Sequence, residues 1–317
     1  MSIIEKALDK QGKNKPPEPP ELPAVHEEKQ AEAGAIIGRA VDGSVNTAQA
    51  AASDPVESGL SEPASSNTAG GGGSQRIVTI NVRRLEAAGM LTPSTARSQI
   101  AEEYRIIKRP LLVNAFGGGA AALGNANLIM VTSAMPGEGK TFCSVNLAMS
   151  IAMELERTVL LVDADMAQLS VTKLLGIEAE YGLTDVLRDD NSVRLKDALI
   201  RTDVPKLTLL PAGSHYHQST ELLASDAMHR IADELSQRYS DRIVIFDAPP
   251  LLAASQASVL AHLMGQVVLV VEAEWTPQHI VGEALLNLGT ENVVGVIINK
   301  TRQAVGKEYY GYGRYGG

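Results

Sequence analysis

A lysine, a threonine and two glycines stand together in Gly137-Glu138-Gly139-Lys140-Thr141, separated by four residues from the apolar run Leu128–Thr132. The stretch LIMVTSAMPGEGKT matches the pattern G-x-x-x-x-G-K-[ST], with Ala134 where the first glycine usually stands. Such letters suit a polyphosphate. Glycines let the main chain bend so that several N–H groups converge on phosphate oxygens. Lys140 would reach the β- and γ-phosphates, Thr141 would offer a hydroxyl to Mg²⁺, and the helix beginning there would direct its positive end at the anion.

Three aspartates complete the chemistry. TVLLVDAD places Asp163 and Asp165 at the tip of one apolar run, two residues apart, and RIVIFDAPP places Asp247 at the tip of another. A carboxylate after four apolar residues is costly to bury unless a cation receives it. Magnesium beside bound phosphates is such a cation, taking oxygens from Thr141, the nucleotide, water and one or two carboxylates. Asn299, after the last apolar run, could pair its amide with adenine or form a turn.

These groups need strand ends and a helix start to hold them. Expected strands are 128–132, 158–162, 207–210, 242–246, 266–271 and 293–298; expected helices are 140–153, 221–237, 255–263 and 277–288. Continuous apolar strands alternating with helices mean an α/β fold, a mainly parallel, doubly wound sheet covered on both faces. Ligands then bind at the carboxyl ends of the strands. Before the central strand, a short β-like piece (77–82) leads into helical stretches at 83–88 and 95–108, followed by a small-residue linker, 117–127. Within the second stretch Glu102, Arg105 and Lys108 recur every three residues, so they are expected to share a face and could pair within the helix or with another copy.

Residues 1–75 differ from the rest. They hold no Phe, Tyr or Trp and are rich in Pro, Glu, Ala, Ser and Gly, which predicts a largely disordered arm. Its first residues, with Ile3, Ile4, Ala7 and Leu8 on one face, could form a short docking helix. The folded domain is expected over 76–302, and 303–317 as a flexible tail. Four of the eight tyrosines, Tyr309, Tyr310, Tyr312 and Tyr315, fall in that tail. They suit a stacking surface, an adhesive patch or a set of phosphate acceptors.

The bulk properties set bounds. A chain of 317 residues, 44% hydrophobic, can bury a substantial core. Its net charge of -9 argues against nucleic acid as a partner. A single cysteine, Cys143, allows no internal disulfide and suits a reducing cytoplasm. No apolar run reaches the roughly 20 residues needed to cross a bilayer, so membrane association is expected to be peripheral.

AMPGEGKT, LLVDAD, IVIFDAPP and the tyrosine-rich end together resemble the bacterial tyrosine kinases of capsule and exopolysaccharide assembly, P-loop enzymes akin to partitioning ATPases. The likeness covers about 95–317. MSIIEKALDK, EEYRIIKRPLL and EYYGYGRYGG look closer still to the autokinases associated with exosortase-type exopolysaccharide loci. The resemblance implies ATP and Mg²⁺ as cofactors. Pro136 through Thr141, continuing to Phe142, and Asn299 would hold the nucleotide. Lys140, Asp163 and Asp165 would be catalytic, and Thr141, Asp163 and Asp247 would hold the metal. The tail tyrosines would accept phosphate from a neighbouring copy.

It also implies a ring-like homo-oligomer through an E-x-x-R-x-x-R helix, here Glu102, Arg105 and Lys108. An integral-membrane chain-length or co-polymerase protein would activate the chain and hold it at the inner membrane. Two departures stand out: lysine for the last arginine loses forked hydrogen bonding, and Met166-Ala167-Gln168 replaces the usual basic residue and proline. Met135 stands where partitioning ATPases usually carry lysine, favouring the kinase branch. The rival readings are a partitioning ATPase and a non-catalytic ATP-sensing assembly factor.

Overall fold

The computed structural model describes residues 37–41, 77–117, 124–188, 193–214, 219–238, 241–288 and 293–302. The docking helix at the start, most of the arm and the whole tyrosine tail lie outside them. The strands are β1 (Ile37–Val41), β2 (Ile77–Val78), β3 (Leu128–Ser133), β4 (Thr158–Asp163), β5 (Ile200–Thr202), β6 (Leu207–Leu210), β7 (Arg242–Asp247), β8 (Gln266–Glu272) and β9 (Val293–Thr301). They form one sheet in the order β1-β9-β8-β3-β7-β4-β6-β5-β2. Every pairing is parallel except β5 with β6.

Alternation along the central strands explains the two cores. Ile129, Val131, Val159, Leu161, Ile243 and Ile245 join one apolar cluster, while Leu128, Met130, Leu160, Val162, Val244 and Phe246 join the other. Side chains at successive positions point to opposite faces, so a run that is apolar throughout must be covered twice.

Early helices α1 (Val82–Ala87) and α2 (Gln99–Phe116) and the glycine-capped α3 (Lys140–Ala152) cover the first face. Then come α4 (Ser170–Leu175), α5 (Leu183–Leu187), α6 (Leu195–Ala198), α7 (Ser219–Leu222), α8 (Asp226–Arg238), α9 (Ser255–Ala261) and α10 (Gln278–Leu286). Cys143 is buried on α3, where burial pushes its thiol up to about 12, so it is a packed side chain and not a redox centre.

Several expectations change in detail. Helix α2 runs through Pro110 to Phe116, because Tyr104, Ile107 and Leu111 keep burying the same face on either side of the proline. The single helix expected over 221–237 is split into α7 and α8, with Ser225 Oγ accepting from Met228 N (3.3 Å) at the break. Within 1–75, the segment Ile37–Val41 adds a parallel edge strand beside β9, where the composition alone suggested no strand. Among the described residues no helix is long and apolar enough to cross a membrane.

Candidate active site

Strand order builds the site. β7 lies between β3 and β4, and Asp163 and Asp247 are paired in register at the carboxyl ends of β4 and β7. Val131 of β3 is level with Asp247, so the turn leaving β3 begins beside that carboxylate. Three strand ends thereby bring the glycine turn and all the expected aspartates together.

The turn depends on two left-handed glycines, Gly137 (φ 92°) and Gly139 (φ 94°). At Gly139 a Cβ would also collide with Asn299 Nδ2, 2.1 Å away. Asn299 belongs to β9 and not to a turn; its Nδ2 donates to the Glu138 carbonyl (2.9 Å), and its buried Oδ1 has no hydrogen-bond partner. Lys300 Nζ donates to the Gly137 carbonyl and to Glu272 Oε2, each at 2.8 Å.

Glu138 points inward. Its fully buried carboxylate accepts from Met135 N (2.5 Å), Glu272 N (3.4 Å) and Thr276 Oγ1. Its side chain therefore braces the turn against β8 and leaves only its backbone to face a ligand. Phe142 packs its ring against the first core cluster, and its carbonyl accepts from Asn146 Nδ2 (2.9 Å). Pro136 and Met135 are exposed at the tip.

Lys140 is buried, with Nζ 2.6 Å from Asp165 Oδ2 and 4.0 Å from Asp247 Oδ1. Burial pulls its ammonium down, but Asp247, Asp165 and Asp163 together hold it above its ordinary value. Asp247 accepts from Thr141 Oγ1 (2.7 Å) through Oδ2 and from Ser144 Oγ (2.9 Å) through Oδ1. Burial raises the Asp247 carboxyl despite the opposing lysine and hydroxyls. Asp163 accepts from Val171 N (3.0 Å) through Oδ2; burial, then the Asp247 charge, raises it to about 8. Its buried Oδ1 has no hydrogen-bond partner.

Ser144 was missed by the sequence reading. It lies three residues after Thr141 and so on the same helix face, a spacing that could have revealed it. Among the described residues no three His, Cys, Asp or Glu side chains form a ready-made metal cage. Thr141 and Asp247 nevertheless offer oxygens of the kind that Mg²⁺ takes together with phosphate and water, and the buried Asp163 Oδ1 at the neighbouring strand end has no hydrogen-bond partner.

The α2 residues divide. Glu102 and Arg105 pair on the exposed surface, and Arg105 also donates to the Ala96 carbonyl (3.0 Å). Lys108 is buried, its Nζ donating to the Ser150 carbonyl (2.7 Å) and pairing with Glu154 (2.6 Å). Each three-residue step falls about 60° short of a full turn, so Lys108 lies about 120° around the helix from Glu102. Of the replaced Met166-Ala167-Gln168 positions, Met166 is buried and the other two are exposed.

An AAA-domain family model matches residues 126–287. The tyrosine-protein kinase YwqD of Bacillus subtilis is 34% identical over 187 residues, covering 58% of this chain and 77% of YwqD. The succinoglycan biosynthesis transport protein ExoP of Rhizobium meliloti is 34% identical over 211 residues, 65% of this chain and 25% of ExoP. The kinase domain of the Escherichia coli tyrosine kinase ETK superposes with a TM-score of 0.60 at 25% identity, covering 76% of this chain and 89% of that structure. The chain spans about a quarter of the length of the longer curated relatives it matches.

Proposed function

Because the chain belongs to the bacterial tyrosine-kinase family, we propose that it is an ATP-dependent protein-tyrosine autokinase whose acceptors are Tyr309, Tyr310, Tyr312 and Tyr315 on a neighbouring copy. The observation that supports this best is the convergence of Lys140, Thr141, Asp163, Asp165 and Asp247 at adjacent strand ends.

Phosphoryl transfer asks a protein mainly to position and to neutralise charge. Backbone N–H groups of Gly137 to Lys140 hold the β- and γ-phosphates, and Lys140 turns from Asp165 to the transferred group. Thr141 and Asp247 would hold Mg²⁺, which would supply positive charge against the phosphates. Asp163 receives the phenolic proton: its Oδ1 lies at the strand end beside Asp247 with no hydrogen-bond partner, and burial makes its carboxylate a stronger base than an exposed one. The phenolic oxygen forms the new O–P bond as the bond from the γ-phosphorus to the bridging oxygen breaks and ADP leaves. Asn299 Oδ1 is the buried acceptor suited to the adenine amino group.

The relatives' names connect ExoP to succinoglycan biosynthesis, and we assign this chain to the control of exopolysaccharide synthesis or export, within the exosortase-associated branch indicated by its terminal sequences. Its activator is an integral-membrane chain-length protein that holds it at the inner membrane, and its copies assemble as a ring through Glu102 and Arg105. Incubation of the purified chain with Mg²⁺-ATP tests the reading. Phosphotyrosine within 303–317 supports it, whereas phosphate release with unmodified tyrosines would identify a partitioning-type ATPase.

A further inference from the structure

Trp275 is the sequence's single tryptophan and stands 72% exposed in the turn between β8 and α10. Single exposed apolar side chains are ordinary on protein surfaces, but this one stands on an unusually constrained turn. Thr276 N donates to the Glu272 carbonyl (3.2 Å), and Ala273 N donates to the Asn299 carbonyl (2.9 Å). Glu272 N and Thr276 Oγ1, on either side of Trp275, both donate to the Glu138 carboxylate of the phosphate loop. Glu274 adopts φ 60°, a left-handed conformation that a residue with a Cβ rarely takes. The indole is therefore displayed by a turn strapped to the catalytic loop, at the ligand end of the sheet.

The same edge is where residues 303–317 begin. Asn299 is level with Glu272 across β8 and β9, and Arg302 lies 3.8 Å from Glu274, the residue before Trp275. Four tyrosines follow, Tyr309 and Tyr310 side by side and Tyr312 and Tyr315 set off by glycines and Arg314. Seven residues after Arg302 comes Tyr309, a span of up to about 25 Å. Aromatic rings attract one another in offset or edge-to-face contact, and tryptophan presents the largest such surface.

We propose that Trp275 docks the tyrosine-bearing segment 303–317 of a neighbouring copy, one ring resting on the indole while another tyrosine enters the active site. This rests on the tail-acceptor reading above. It makes Trp275 a positioning residue for the acceptor.

The test uses the full chain with all four tail tyrosines changed to Ser, so that a synthetic peptide of residues 303–317 is the only acceptor and the only source of tail rings. The single indole makes fluorescence a direct reporter of docking. Saturating peptide shifts its emission to shorter wavelength in the presence of Mg²⁺-ADP. Trp275→Ala raises the KM for peptide about tenfold, leaves kcat within about twofold and leaves ADP affinity unchanged; Trp275→Phe restores most of the KM. Unchanged emission at saturating peptide, or an unchanged KM in Trp275→Ala, would overturn the docking role. An emission shift on a peptide that is never phosphorylated would uphold docking and remove the kinase reading instead.

Discussion

Lys140 Nζ sits 2.6 Å from Asp165 Oδ2, so the cation of the phosphate loop is paired with a carboxylate two residues beyond the end of β4. One ammonium thus balances a group of three buried carboxylates, Asp163, Asp165 and Asp247. Phosphate oxygens must compete for it.

Removing the cation should therefore have two effects. Lys140→Met is expected to lower tail phosphorylation more than about 100-fold, since the charge it places on the transferred group is lost. It should also destabilise the nucleotide-free fold near neutral pH by about 3 kcal/mol, because buried carboxylates lose their partner. Phosphotyrosine immunoblots and urea denaturation measure the two separately.

Ser144 tests the metal assignment. Its hydroxyl donates to Asp247 Oδ1 at 2.9 Å while Thr141 holds Oδ2. Ser144→Ala should let the Asp247 carboxylate turn, raising the Mg²⁺ concentration for half-maximal activity about fivefold at a cost near 1 kcal/mol. Nucleotide affinity measured without Mg²⁺ should not change.

Asp163 predicts a pH dependence. Its carboxyl titrates at about 8 in the folded chain, chiefly through burial, against 3.8 as a free side chain. Between those values the native state holds a proton that the unfolded state has lost, so stability falls as pH rises and levels off above about 8. Asparagine does not titrate. Asp163→Asn should thus gain stability over the original by an amount that grows from pH 5 to pH 8 and then stays constant. Thermal melts in Mg²⁺-free buffer show it; a gain that is the same at every pH would contradict the assignment.

The two ends of the α2 motif should separate by phenotype. Lys108→Met breaks a buried pair with Glu154 and a bond to the Ser150 carbonyl, and should cost about 2 kcal/mol in the isolated chain. Arg105→Ala removes an exposed contact and should change stability by less than about 0.5 kcal/mol. If Arg105 contributes to assembly, sedimentation velocity should show smaller species for that variant alone.

What the sequence disclosed about this site follows from physical constraint. Glycines before Lys140, and aspartates after unbroken apolar runs, have few alternative explanations, and the parallel order of β3, β7 and β4 brings them together. Short elements such as β5 and α6 were invisible, because three or four residues show no period and depend on tertiary contacts. The inward turn of Glu138 was equally hidden: its partners Glu272 and Thr276 lie more than 130 residues away, and no local pattern announces them. Lys108 was placed with Arg105 by spacing alone, whereas burial against Ser150 decides its direction.

Mass spectrometry of the 303–317 peptide, taken from the full chain before and after Mg²⁺-ATP, bears most directly on the central claim. The account predicts phosphate on at least one of Tyr309, Tyr310, Tyr312 and Tyr315 in the original chain and none in Lys140→Met. A chain that consumes ATP while all four remain unmodified would contradict it.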